Sequence, residues 1–421
     1  MRMATSKKDS GYFTLLPGFH LLMILVMITI PFGELQATLF SGLSPAKVFI
    51  PLLFCYCVCV HLYNVKIHPL LLPYVLFVFC TLPSLVTGVG FIGILIALVG
   101  YILLFQVLYS YSFSINKIRE LINAYIIGLT FVAFLTLLAL VTGFDMGAQL
   151  GKPFIEYWLG FPIVSGPSNN PNGFASLFVP GVPFAFSCFL SSENKLNKLI
   201  YGGVTTILFL TLVLTFSRSG MAAVLLSCFV IHHHKRNITT FSPLLLVKLL
   251  SALIGIILLS TIYFIMIELV TGDIAASGVT TDISSNKEMS GGYRTLVLLP
   301  MLSIAMENAF IGVGFGNVKG LIEAQTGLYI NSHNTPFGIA MDYGLIALVF
   351  LLVTIALSCR DYTRALRSTE KDGKKRLLIS ALFASMGAMI FHGLFHELYI
   401  HIMLWFLIIM GPVVLRSVRI A

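Results

Sequence analysis

The sequence predicts an all-α, polytopic transmembrane helical bundle of about 12 spans, on three observations. Of its 421 residues 57% are hydrophobic and only 10% are charged, against about 25% charged in soluble domains; mean hydropathy is +0.95. The apolar residues come in runs near the ~20 residues that cross a hydrocarbon core of about 30 Å. Lys and Arg, finally, are distributed unevenly among the loops between those runs. Such a chain is expected to be a single integral membrane domain over 1–421.

In chain order the expected spans are 15–32, 44–62, 68–87, 90–110, 118–142, 171–191, 197–216, 219–233, 242–268, 335–357, 376–395 and 398–415. The start MRMATSKKDS is basic, and no small-residue cleavage site closes the first run, so that run is expected to stay as an anchor. Cytoplasmic loops are enriched in Lys and Arg. With the N-terminus inside, only Lys47, Lys152, Arg218, Lys287, Arg294 and Lys319 fall outside, and the remaining 20 of the 26 Lys and Arg fall inside. Both termini are therefore expected in the cytoplasm. The same distribution explains the net charge of +9 without a nucleic-acid partner. The seven cysteines (55, 57, 59, 80, 188, 228 and 359) form neither a CxxC zinc pattern nor a disulfide framework. Six of them read as small buried hydrophobes.

Two outer segments have any size, 143–170 and 269–334, and extracytoplasmic chemistry has to be built from them and from span ends. Within 269–334 the stretch 295–310 is apolar but short and contains Pro300, so it reads as an interfacial helix lying on the outer face.

Several polar residues stand out. Arg218, in TFSRSGMAA, is the one charge between Tyr201 and Ile231. A snorkelling arginine is the plain explanation, but ionisable groups at membrane depth are costly and face cavities or partners. Ser217 flanks it, and Gly220 allows close helix packing. Arg294 opens the 295–310 helix, the unfavourable end of the dipole for a cation unless an anion also binds there. GVGFGN (312–317) is a flexible turn; as a dinucleotide fingerprint it fails, because no βαβ unit surrounds it. His333 stands where a span begins, and its ordinary pKa near 6.5 suits proton transfer. Asn334 follows it, and Asp342 lies two helical turns on, placed either to orient a nearby group or as an ordinary polar residue. SGPSNNPNGFAS (165–176) reads chiefly as a helix cap ahead of Pro171, and Asn172 is a further amide for a sugar site. In FHGLFHELYIH, His392 and His396 are four apart and share a helix face, as metal ligands do. Glu397 does not complete HExxH, so a polar lining of an outer cavity is the expectation and a metalloprotease is not.

Taken in order, SRSG closing one span, an Arg opening a segment that ends in GVGFGN, and HNTPFGIAMDYG leading into the next span resemble the O-antigen ligase and Wzy-type O-antigen polymerase superfamily. The resemblance covers most of the chain and is strongest over about 215–345. It implies an enzyme at the periplasmic face of the bacterial inner membrane that needs no nucleotide cofactor or metal. Its donor is a glycan on undecaprenyl diphosphate; its acceptor is a hydroxyl of lipid A–core in ligases, or of another carrier-linked repeat in polymerases. Where the family often has Glu, this chain has Asp342. Arg218 and Arg294 match the diphosphate clamp, and arginine's planar fork suits phosphate oxygens. His333 matches the base, with Asn334, Asp342, Ser217 and Asn172 in support. Ligase and polymerase both remain open at this stage. A polyisoprenoid-glycan transporter is the alternative from another class, but the expected midplane charges and repeats are missing.

Overall fold

A computed structural model describes residues 17–32, 67–87, 91–110, 113–145, 148, 153–158, 161–168, 170–235, 292–326, 334–370, 372–399 and 401–420. The helices in chain order are α1 (Pro17–Thr29), α2 (Leu71–Thr81), α3 (Ser84–Thr87), α4 (Phe91–Ser110), α5 (Ile115–Thr142), α6 (Pro171–Ser191), α7 (Lys195–Leu214), α8 (Arg218–Lys235), α9 (Gly292–Glu307), α10 (Val318–Thr326), α11 (Thr335–Tyr343), α12 (Leu345–Ser368), α13 (Gly373–Gly393) and α14 (Ile402–Ile420). The helical class holds. Seven of these helices are long and apolar enough to cross a membrane, among the described residues. The expected spans 44–62 and 242–268 lie outside the described residues, so the expected count of about twelve is not tested.

Three expected spans differ in detail. The run 68–87 is divided into α2 and α3 at Leu82–Pro83, because proline has no N–H to continue the ladder. The run 335–357 is α11 and α12, broken at Gly344, whose φ of 88° and ψ of 164° are open essentially to glycine alone. A Cβ there would lie 2.5 Å from the Phe310 carbonyl oxygen. The run 398–415 begins with a turn, and its helix starts only at Ile402. One short antiparallel hairpin, β1 (Ile155–Trp158) with β2 (Phe161–Val164), is added in the first outer segment. The Asp145 carboxylate holds its base by accepting from the Phe154 and Ile155 amides at 2.7 and 3.0 Å.

Helix starts follow the local sequence. Ser114, Asn170, Asn194, Asn334 and Asp372 each accept backbone N–H bonds as N-caps, and Pro follows Asn170 directly. The helices then bury a continuous core. Trp405 of α14 is fully buried and stacks on Tyr74 of α2, centroids 4.4 Å apart. Its indole N–H donates to the Tyr399 carbonyl at 2.6 Å, so the same residue pins the turn before α14. Close backbone approach matters where α1 crosses α5: a Cβ on Gly128 would overlap the Ile28 carbonyl.

Polar contacts sort to the two ends of the bundle. At one end lie His20–Glu120, His68–Asp361, Glu193–Lys374 and His234–Ser380. At the other lie Ser84–Phe315, Ser219–His392 and Asn334–Leu394. This is the alternation that the hydropathy reading requires of consecutive spans. The expected interfacial helix is α9. It buries Met301, Ile304 and Ala305 against Ala340 and Met341 of α11 and Val318 and Ile322 of α10. Leu299, Leu302 and Met306 remain exposed, an apolar face suited to lipid.

Candidate active site

The corner between α7 and α8 carries Arg218. Thr215 ends α7 by donating its hydroxyl to the Leu212 carbonyl at 2.6 Å. Phe216 then adopts φ 52°, a left-handed conformation that costs a non-glycine residue roughly 1–2 kcal/mol. Strain of this kind persists where surrounding packing over-determines it, and it gathers at functional sites. It reverses the chain within one residue, so that Ser217 caps with its carbonyl (Met221 N–H, 3.0 Å) and Arg218 opens α8 half-buried. The Ser217 hydroxyl is buried and finds no hydrogen-bond partner among the described residues. Gly220 lets the corner sit against α6, since a Cβ there would already lie 3.3 Å from the Ala175 Cβ.

The turn between α13 and α14 receives this corner. The His392 ring is fully buried, with Nδ1 2.9 Å from the Ser219 hydroxyl and Nε2 3.4 Å from the Asn172 carbonyl. A carbonyl only accepts, so Nε2 carries the proton and Nδ1 accepts from Ser219. His401 repeats the arrangement. Its Nδ1 accepts from the Met403 amide at 3.3 Å, so its Nε2–H donates to the Ser176 hydroxyl at 3.0 Å; that hydroxyl in turn donates to the Gly173 carbonyl at 2.6 Å.

The start of α11 docks on the same turn. Asn334 accepts from the Phe337 amide with its Oδ1 and donates from Nδ2 to the Leu394 carbonyl at 2.8 Å. Thr335 donates its hydroxyl to the His396 carbonyl and accepts from the Leu398 amide, both at 2.7 Å. One helical face further on, Asp342 is buried and accepts from the Tyr399 hydroxyl at 2.8 Å, while its other oxygen has no partner among the described residues. The GVGFGN turn closes on this helix from the other side: the Val313 and Gly314 amides donate to the Met341 and Asp342 carbonyls at 2.8 and 3.0 Å. Gly312, at φ 75°, has no room for a Cβ, which would come 2.4 Å from the Asp342 carbonyl carbon.

Three stretches remote in sequence therefore meet at one end of the bundle: Asn172–Ser176, Ser217–Gly220 and Asn334–Thr335, all joined to 392–401. Residues 203–352 match the family model described as O-antigen ligase. That segment is similar to the O-antigen ligase family. It runs from within α7 to the first third of α12 and includes Arg218, Arg294, His333, Asn334 and Asp342. No curated protein matches the chain. With seven helices long and apolar enough to cross a membrane among the described residues, the chain is a multi-pass membrane protein.

The residues expected from sequence fare unequally. Arg218, Ser217, Asn172, Asn334 and Asp342 all lie at this end of the bundle. Arg294 is in the first turn of α9, and its side chain is outside the described residues. His333 also lies outside them, immediately before Asn334. One expectation is corrected: His392 does not line a cavity, because it is sealed within the core with both ring nitrogens engaged. Engagement of both nitrogens also removes the His392–His396 metal pair. Ser219, Ser176, Thr335 and Tyr399 were not legible as site residues. Small hydroxyls inside apolar runs carry no sequence signal until their partners across the fold are known.

Proposed function

We propose that this protein is an O-antigen ligase-like glycosyltransferase. It moves a glycan from undecaprenyl diphosphate to a hydroxyl of lipid A–core at the periplasmic face of the inner membrane. One observation carries the reading. Ser219 and Asn334, the chain neighbours of Arg218 and His333, are both hydrogen-bonded to the short stretch His392–Leu394. The residues next to Arg218 and His333 are thus bonded to one short stretch of chain, and both lie inside the segment that matches the O-antigen ligase model.

In this reading Arg218 and Arg294 hold the diphosphate, and stabilise the charge that grows on it as the bond to the sugar breaks. The acceptor O–H attacks the anomeric carbon from the face opposite the diphosphate. The new C–O bond forms, undecaprenyl diphosphate leaves with the electron pair of the old bond, and His333 takes the hydroxyl proton. General base help of this kind contributes about 10²–10⁴-fold. A single displacement inverts the anomeric centre. Asn334, through its cap and its bond to Leu394, supports the loop; Asp342, Ser217 and Asn172 supply further polar groups at the same end. The whole chain serves as one integral membrane domain, with both termini cytoplasmic and the 269–334 loop in the periplasm.

Polymerisation of carrier-linked repeats is the second reading, since it uses the same donor chemistry. A lipopolysaccharide gel of a deletion strain tests the two. Bare lipid A–core, with glycan left on the carrier, is the result expected of a ligase. Core capped by a single repeat identifies a polymerase. Glycan transfer by the purified protein in detergent, without a membrane gradient, excludes a pure transporter.

A further inference from the structure

We propose that His392 is a positioning residue for Arg218, acting through Ser219 as the keystone that holds the α7–α8 corner against α6 and the α13–α14 turn. The proposal rests on the transferase reading for its kinetic test and on geometry alone for its structural one.

His392 lies outside the matched segment 203–352. It is fully buried, yet each of its nitrogens serves a different element. Nδ1 accepts the Ser219 hydroxyl in the first turn of α8, and Nε2–H donates to the Asn172 carbonyl in the first turn of α6. A neutral imidazole is the side chain that can accept from one partner and donate to another across its ring. The residue next to Ser219 is Arg218, and the residue two before it, Phe216, is the strained one. A strained reversal needs an outside restraint to persist. The helix packing of Gly220 against Ala175 sets the distance between α8 and α6, but packing of small groups permits sliding. The Ser219–His392–Asn172 bridge fixes the slide and therefore where the guanidinium stands. The Asn334–Leu394 bond ties the start of α11 to the same short stretch of chain. His401 bonds Ser176 one turn deeper in α6, which holds that helix without touching α8.

The test uses the full-length protein in detergent with His392→Phe, His392→Asn, Ser219→Ala, Arg218→Lys and the doubles of His392→Phe with each of the last two. His392→Phe removes both hydrogen bonds at similar volume; His392→Asn keeps an acceptor near Nδ1. We expect His392→Phe and Ser219→Ala each to lower kcat about tenfold with KM changed less than twofold. We expect their double to be no worse than the more damaged single, His392→Asn to recover most of the loss, and His392→Phe to add little once Arg218 is Lys. Losses that multiply in both doubles, or wild-type kcat in His392→Phe, overturn the proposal. Where His392→Phe does not fold, Ser219→Ala and Arg218→Lys, singly and together, form the cycle, with Ser219→Ala expected to add little once Arg218 is Lys and a multiplied loss overturning the proposal. If the wild-type protein transfers no glycan, the transferase reading fails and hydrogen exchange still decides the positioning claim. Amides 217–222 exchange at least tenfold faster in His392→Phe or Ser219→Ala, and near the wild-type rate in His392→Asn, if the bridge holds the corner; wild-type exchange in Ser219→Ala overturns the claim.

Discussion

Replacing Thr335 with Val keeps shape and removes one oxygen, and the structure says what that oxygen does. The Thr335 hydroxyl donates to the His396 carbonyl and accepts from the Leu398 amide, both at 2.7 Å, and Thr335 is 7% exposed. Valine leaves the Leu398 N–H and the His396 C=O without these partners. Leu398 is 1% exposed, so its amide carries the full desolvation penalty of about 1–3 kcal/mol; His396 is only half-buried, and its carbonyl counts at the low end. A methyl also cannot sit 2.7 Å from either atom, since non-bonded carbon contacts are optimal near ~3.5–4.0 Å. Together these come to about 2–4 kcal/mol against the docked turn. At ~1.4 kcal/mol per tenfold, opening of 394–399 rises by roughly 30- to 700-fold. Amide hydrogen exchange on that peptide reads it directly, because local opening sets exchange. Thr335→Ser keeps both bonds and is expected within about fivefold of wild type. If Thr335→Val leaves exchange at Leu398 unchanged, the turn is not held by Thr335, and the convergence of α11 with α13 needs another cause.

Four further outcomes are expected. His333→Ala abolishes transfer at near wild-type protein level, measured by glycan attachment to lipid A–core; full activity removes the imidazole as base. Arg218→Lys keeps the charge and loses the two-pronged fork, so transfer falls by about tenfold or more; unchanged rates leave Arg218 as an anchor. Gly312→Val forces a side chain onto the Asp342 backbone at φ 75°, costing at least ~1–2 kcal/mol in conformation alone, and folded yield by size-exclusion chromatography drops sharply; normal yield refutes the packing of the GVGFGN turn on α11. A cysteine at Gly291 reacts with an impermeant thiol reagent added to intact cells, and labelling confined to lysed cells reverses the topology.

The membrane class, the positions of most described helices and the cap ahead of Pro171 were legible in the sequence because each follows from local free energies. Burying a run of about 20 apolar residues in lipid, and keeping Lys and Arg on the cytoplasmic side, are sums over neighbours in the chain. Asn170 satisfies amides two and three residues away; the caps at Asn334 and Asp372 work in the same local way but were seen only in the structure. Arg218 and the HN pair stood out because polar groups are rare in such a chain. The break at Gly344 was hidden, since glycine within an apolar run is compatible with a continuous helix, and only the Phe310 carbonyl pressing on it shows why the chain turns there. The burial of His392 was hidden for a related reason. From sequence it is a histidine four residues from another; in the fold its two nitrogens find Ser219 and Asn172, 173 and 220 positions away. Hydropathy states how deep a residue sits along the membrane normal, but not which helix stands beside it. That choice is made by small-residue contacts such as Gly220 on Ala175 and Gly393 on Thr335, whose energy exists only once both helices are in place. The sequence alone therefore determined the layers of this protein and the residues worth suspecting, and the tertiary structure decided which of them share one turn.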